Sequence, residues 1–251
     1  MEFAQIVIVL LTFLLAGFVK GVIGLGLPTI SLAIITVAIN LETAMALLVA
    51  PSLVTNLWQG FSGNSTRYLL SRLWLFLAVA AGLVIVGSML FPLSKPQWLS
   101  ALLGLLIIVY ALSSIFGWRW RASPDLDTKK DSVTAVAAGT LNGLLTGLTG
   151  SFVFPGVMYL QSLGFDKDRF VQAMGLLFSV STIALAIALW LQHRLPQSLS
   201  LVSLVAVIPA MAGMPLGRRL ASGLTEKRFK DLFFLTLLLL GSYLLVTSLL
   251  R

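Results

Sequence analysis

A glycine-rich segment that occurs twice within apolar sequence constrains the fold of this chain more than any other feature. The first copy runs from Gly17 to Pro28, and the second runs from Gly139 to Gly150, about 122 residues further on. Apolar segments interrupted at matching positions in two halves are typical of the binding sites of membrane transporters. An interrupted helix frees backbone N–H and C=O groups, which hydrocarbon tolerates only where they face protein or a water-filled cavity. We therefore expect each copy to break a helix and to line a site.

The composition indicates a membrane protein. Of the 251 residues, 58% are hydrophobic and 10% are charged, whereas soluble domains carry roughly 25% charged residues. We expect an all-α polytopic membrane protein in which residues 1–251 form a single membrane transport domain in contact with the lipid bilayer. The formal net charge of +8 comes from Lys and Arg in short loops, where such residues orient membrane helices. Nucleic acid is therefore not an expected partner.

The two halves of the chain follow one plan. Repeat 1 covers about 1–118, a polar linker covers about 119–131, and repeat 2 covers about 132–251. In each half we expect a broken re-entrant helix hairpin, over 3–39 or 132–163, followed by three transmembrane helices. The helices after the breaks also align, pairing Glu42 with Arg169, Ser52 with Ser179 and Thr55 with Thr182.

The distribution of positive charge predicts the topology. If both hairpins are re-entrant, thirteen Lys and Arg residues lie on one side of the membrane and three on the other. Eight ordinary spans would instead divide them eight against eight. The positive-inside rule favours the first arrangement and assigns the thirteen charges to the cytoplasm. We predict a multi-pass protein of the cell (inner or plasma) membrane, with both termini outside the cytoplasm and two inverted repeats.

The breaks also predict a binding site for a small anion. A helix that restarts after a break presents free N–H groups and a partial positive charge, which suit an oxyanion. We expect the two helix starts, near Thr29 and Ser151, to meet near the midplane and to hold the anion between them. For any one small polar residue, close helix packing is the alternative role. The predicted substrate-binding residues are Lys20, Gly24, Gly26, Thr29, Ser52, Asn56, Asn142, Thr146, Thr149, Ser151, Ser179 and Thr182.

Lys20 is the one basic residue inside an apolar stretch. Its ammonium group would either draw an anion inward or extend to the cytoplasmic interface. Asn142 is its expected counterpart in the second half, which leaves one net positive charge at the site. Glu42 and Asp166 could carry protons, although a carboxylate at a helix start is also favoured by the helix dipole alone.

A family resemblance rests on several of these motifs. The two glycine breaks, the alanine-rich helix starts after them and the segment Pro215-Leu216-Gly217-Arg218-Arg219-Leu220 resemble the TauE/SafE family of sulfite exporters over nearly the whole chain. The resemblance implies membrane passage of small sulfur-containing anions, of the sulfite or organosulfonate type, with export as the expected direction. Two alternatives stay open, which are another small anion such as a carboxylate, and a membrane assembly subunit that transports nothing.

The residue types that catalysis requires are nearly absent. The chain contains no Cys and a single His, His193, and it has no pair of carboxylates within an apolar span. We therefore expect neither an enzyme nor a cofactor or metal site. The oligomeric state is not predicted.

Overall fold

The computed structural model describes residues 1–90, 96–117, 129–221 and 226–250. Within these ranges the chain forms ten α-helices and no strand. Most of the predicted linker over 119–131 lies outside the described residues. The helices are α1 (Phe3–Ile23), α2 (Leu27–Ala38), α3 (Leu41–Phe61), α4 (Thr66–Leu90), α5 (Pro96–Ile115), α6 (Lys129–Thr149), α7 (Gly156–Ser162), α8 (Lys167–Leu191), α9 (Gln197–Ala221) and α10 (Glu226–Leu249).

Seven of the described helices are long and apolar enough to cross a membrane, namely α1, α3, α4, α5, α8, α9 and α10. This confirms the predicted all-α polytopic class. The sequence indicated six such helices. The seventh is α1, which continues through Gly17 and Gly21 to Ile23 and reaches 21 residues. The second arms of the two hairpins are short, with 12 residues in α2 and 7 in α7.

Most of the repeated glycines lie inside helices, where they permit close packing. Gly17 and Gly21 of α1 lie against the carbonyl groups of Ala210 and Met214 of α9, so close that an added methyl group would collide with them. Contacts of this kind let two helix backbones approach in a membrane. The corresponding contacts of α6 on α4 are Gly143 on Ala80 and Gly147 on Val84.

The true interruptions are shorter than the repeated segments. They comprise residues 24–26 in the first half and 150–155 in the second. Gly24 and Gly150 end α1 and α6 in the left-handed conformation, at φ values of +84° and +71°. Glycine adopts this conformation at little cost, whereas an L side chain would be strained there. The N–H of Gly24 donates to the Lys20 carbonyl (2.8 Å), and that of Gly150 donates to the Thr146 carbonyl (2.7 Å).

The helices of the two halves pair in a pattern that is unchanged when the halves are exchanged. Helix α1 packs on α9 as α6 packs on α4, while α3 packs on α8 and α5 packs on α10. Helices α3 and α8 are antiparallel, because Glu42 near the start of α3 pairs with Arg194 beyond the end of α8 (3.7 Å). At their other ends, the Gln59 Nε2 donates to the Val171 carbonyl (2.7 Å). Antiparallel equivalent helices are what inverted repeats require, so the packing supports that prediction.

Positive side chains gather at one end of the bundle, where α3 and α9 end and α4 and α8 begin. We call it the basic end. Helix α1 runs parallel to α9, because Gly17 and Gly21 meet Ala210 and Met214 in the same order. Phe3 therefore lies at the opposite end, together with Arg194. That the basic end faces the cytoplasm stays a prediction. The described positive residues of the basic end are Arg67, Arg72, Lys167, Arg169, Arg218, Arg219 and Lys230.

Candidate functional site

Helix α1 carries Lys20 into the interior of the bundle, where its side chain is 2% exposed. Its Nζ donates to the Thr55 Oγ1 (3.1 Å) and to the Asn56 Oδ1, both on α3. Among the described residues, Lys20 is the one buried charged side chain. No carboxylate in the described part of the chain lies within ion-pair distance of it. The ammonium group thus lies inside the bundle rather than at its surface, and both groups that accept its hydrogen bonds are neutral oxygens.

A polar stripe runs along the face of α3 that meets Lys20. Ser52, Thr55, Asn56 and Gln59 recur at helical spacing, and all four are buried. Thr55 donates its own proton to the Pro51 carbonyl (2.7 Å), so its oxygen is free to accept from Lys20. The Asn56 Nδ2 and the Ser52 Oγ are buried and have no hydrogen-bond partner. Buried polar groups are almost always paired in folded proteins, so these two donors are available to bind a ligand.

Gln59 connects this stripe to the first break. Its Nε2 donates to the Gly24 carbonyl (2.8 Å) and to the Val171 carbonyl on α8 (2.7 Å). The amide therefore satisfies a carbonyl that the end of α1 leaves without a helical partner. Gln59 was not among the predicted substrate-binding residues. The available signal was its position three residues after Asn56, on the same helical face.

A cavity of about 600 Å³ opens at the basic end, directly above Gln59. We call it the basic-end cavity, and its lining includes Gln59, Val171, Gln172, Arg169 and Arg218. Gln172 was also not among the predicted residues. Its Nε2 donates to the Gly60 and Gly63 carbonyls (3.0 and 3.1 Å). Gln59 lines the cavity, whereas Lys20 and Asn56, which lies about 4.5 Å further along α3, do not. The side chain of Gln59 thus separates the cavity from Lys20.

The polar residues of the second hairpin mostly satisfy one another. The Thr146 Oγ1 donates to the Ser151 carbonyl (2.9 Å), and the Ser151 N–H donates to the Thr149 Oγ1 (3.2 Å). The Asn142 Oδ1 accepts from the Gly156 N–H (3.0 Å), which caps the start of α7. The expected helix start near Ser151 is therefore wrong. Helix α7 begins at Gly156, and its first N–H group already has a partner.

The remaining predicted residues form no hydrogen bond with Lys20 in the described part of the chain. Ser179 and Thr182 donate to carbonyls of their own helix, those of Gly175 (2.7 Å) and Phe178 (2.6 Å). Gly26 lies against the ring of Phe233 on α10. Thr29 is buried, and its hydroxyl has no partner. Within the described residues, no hydrogen bond joins the second hairpin to the Lys20 cluster.

The two breaks do not meet. Gly24 lies beside Val171 and Gln59, near the end of α3, whereas Gly150 lies beside Met45, near its start. Met45 and Gln59 are 14 residues apart, which corresponds to roughly 21 Å along a helix. The ends of α1 and α6 therefore lie far apart along the bundle, and a meeting of the two helix starts near the midplane stays a prediction. Buried polar atoms without a hydrogen-bond partner occur in both halves, among them the Ser52 Oγ and Asn56 Nδ2 in the first half and the Asn142 Nδ2 and Ser181 Oγ in the second.

The structural counterpart of Lys20 is Thr146 and not Asn142. Gly24 and Gly150 end their helices in the same way, and each donates to the carbonyl four residues earlier. The correspondence therefore places Thr146 where Lys20 lies in the first half. Only the first half carries a cation at this position.

The helix caps correct the predicted alignment of α3 with α8 by one residue. Asn40 caps α3 by accepting from the Thr43 N–H (2.8 Å), and Asp166 caps α8 by accepting from the Arg169 N–H (2.9 Å). Asn40 and Asp166 each lie 16 residues after the glycine that ends the preceding long helix. Counting from these caps, the counterparts of Thr55 and Asn56 are Ser181 and Thr182.

The seven long apolar helices make the chain a multi-pass membrane protein. The sequence profile of the family described as "Sulfite exporter TauE/SafE" matches residues 9–244. The chain belongs to this family, as its motifs predicted. No curated protein and no solved structure matches the chain significantly.

Proposed function

We propose that this protein exports small sulfur-containing oxyanions, such as sulfite and organosulfonates, and that Lys20 binds them. Membership of a sulfite exporter family supports the substrate class. The observation that carries the proposal is the buried ammonium group of Lys20, which donates to Thr55 and Asn56 and has no counter-ion among the described residues.

An isolated charge is costly inside a membrane protein, and such charges mark substrate pathways. An oxyanion beside Lys20 would provide the missing counter-charge. The two unpaired donors nearby, the Asn56 Nδ2 and the Ser52 Oγ, would add hydrogen bonds to its oxygens. Hydrogen bonds to a charged acceptor are roughly twice as strong as those between neutral groups. The site therefore suits an anion with several oxygen atoms.

The basic-end cavity provides a route to this site. The cavity is lined by three cations and two carboxylates, which leaves a net charge of +1, and positive charge in a cleft raises the local concentration of anions. These charged residues are Lys167, Arg169, Arg218, Asp166 and Asp168. Under the predicted topology the cavity opens to the cytoplasm. An exported anion would enter there, pass Gln59 and reach Lys20.

The test is sulfite flux into proteoliposomes that contain purified protein, with sulfate, sulfoacetate, thiosulfate and acetate as competitors. We expect saturable sulfite flux. Lys20→Met should lower it at least about tenfold, because charge-assisted hydrogen bonds contribute about 1.5–3 kcal/mol. The control is Arg67→Met, which removes a cation from the exposed first turn of α4 outside the lining of the basic-end cavity, and it should retain most of the flux.

Equal flux per folded molecule in Lys20→Met and the unmodified protein would contradict the role of Lys20. Acetate flux without sulfite flux would change the substrate to a carboxylate. Folded protein that moves none of these anions would favour the assembly subunit instead.

A further inference from the structure

A small closed pocket lies at the end of the bundle opposite to the basic end. Its free volume is about 10 Å³, against about 600 Å³ for the basic-end cavity. We propose that this pocket is the second mouth of the anion pathway, closed in the present conformation and able to admit the same small oxyanions. The proposal rests on the proposed function, because a pathway across a membrane needs two mouths. We call it the distal pocket, and its lining includes Met45, Ser88, Gly147, Leu189, Gln192 and Arg194.

The packing of α4 and α9 relates the distal pocket to the basic-end cavity. Ala210 and Met214 meet the glycines of α1 as Ala80 and Val84 meet those of α6. Ala210 lies 130 residues after Ala80, and Met214 lies 130 residues after Val84. The same difference relates Arg218, which lines the cavity, to Ser88, which lines the distal pocket.

The caps of α3 and α8 give two further correspondences. The difference of 126 residues between Asn40 and Asp166 relates Met45 of the distal pocket to Val171 of the cavity. It also relates Gly63 of the cavity to Leu189 of the distal pocket. Three lining positions on different helices or turns thus coincide when the halves are exchanged. The distal pocket is therefore the counterpart of the open cavity in the other half.

Two features account for the closure of the distal pocket. Larger side chains stand at two of the matched positions, since Met45 replaces Val171 and Leu189 replaces Gly63. Two polar contacts also restrain residues that line the pocket. The Gln192 Nε2 donates to the Ser88 Oγ (3.0 Å), and the Arg194 Nε lies 3.7 Å from the Glu42 Oε1.

Both contacts are of kinds that break at modest cost. A neutral hydrogen bond contributes little net stability, and half of the Glu42 side chain is exposed (51%), which weakens an ion pair. When they separate, Arg194 supplies a positive charge, and the Gln192 Nε2 supplies hydrogen-bond donors. The opened mouth would then present an oxyanion with groups similar to those at the basic end.

The chain contains no Cys, so single cysteine variants report on one position each. Met45→Cys in the distal pocket and its counterpart Val171→Cys in the cavity would be labelled in proteoliposomes with a membrane-impermeant anionic thiosulfonate. We expect Val171→Cys to react quickly from the basic end and Met45→Cys to react slowly from the other side. Adding Gln192→Ala removes the bond to Ser88 and should raise labelling of Met45→Cys about threefold to tenfold. Gln197→Ala, on the exposed first residue of α9, is the matched control and should leave it unchanged.

Labelling of Met45→Cys that is equal with and without Gln192→Ala would overturn the proposal, as would labelling from the basic-end side. In a second test, cross-linking Ser88→Cys to Gln192→Cys should stop sulfite flux, and a reducing agent should restore it. Full flux through the cross-linked protein would also overturn the proposal. Thiol labelling does not require transport. If the unmodified protein shows no sulfite flux, the proposed export is refuted, and the labelling of Met45→Cys still tests whether the distal pocket opens.

Discussion

Removing the side chain of Gln59 should open the route between the basic-end cavity and Lys20. In the closed arrangement its Nε2 donates to the Gly24 and Val171 carbonyls, at 2.8 and 2.7 Å. Each such bond contributes about 0.5–1.5 kcal/mol net, so Gln59→Ala removes about 1–3 kcal/mol from the closed arrangement. The population of the open arrangement should then rise roughly 5-fold to 150-fold.

Thiol labelling measures this change directly. Ser52→Cys places a reporter on the buried stripe of α3, one turn beyond Asn56 and fully shielded from solvent. We expect a membrane-impermeant thiol reagent at the basic end to label it at least about fivefold faster in the Gln59→Ala background. Gln97→Ala, on the exposed start of α5, controls for the loss of an amide elsewhere. Equal labelling in all three backgrounds would refute the assignment of Gln59 as the barrier.

Three further results are expected. The double variant Lys20→Met/Thr146→Lys moves the cation to the matching position in the second half, and it should recover part of the sulfite flux that Lys20→Met removes. Flux no higher than in Lys20→Met would contradict the correspondence between Lys20 and Thr146. Gly21→Ala should lower the stability measured by thermal unfolding in detergent by about 1–3 kcal/mol, because the methyl group meets the Met214 carbonyl; Gly82→Ala, which meets nothing within 4 Å, should not. Because one buried cation balances one negative charge, methanesulfonate should inhibit sulfite flux more strongly than doubly charged sulfoacetate, and the reverse order in the same assay would exclude this charge rule.

The class of the protein and its helices follow from the sequence because they depend on averages over many residues. Hydrophobic content over about twenty residues decides whether a helix can span a bilayer, and no single contact changes that result. Lys20 could be recognised for a similar reason, since a lone cation in an apolar stretch is costly wherever it lies.

The roles of individual glycines could not be read in the same way. Gly21 and Gly24 have similar sequence surroundings, but one packs against α9 and the other ends α1. The difference depends on a helix about 190 residues later in the chain. Gln59 was missed for a related reason, because its partners Gly24 and Val171 are 35 and 112 residues away. Local patterns carry no information about such pairings.

The packing of α1 on α9 has a consequence for the order in which the protein is made. The glycine face of α1 finds its partner only after residues 210–217 have been synthesised, near the end of the chain. Helix α4 likewise lacks its main packing partner until α6 has been synthesised. During synthesis, the first half therefore stands in the membrane with an uncovered groove along α1 and with Lys20 close to it. We expect α1 to be the segment most dependent on insertion chaperones.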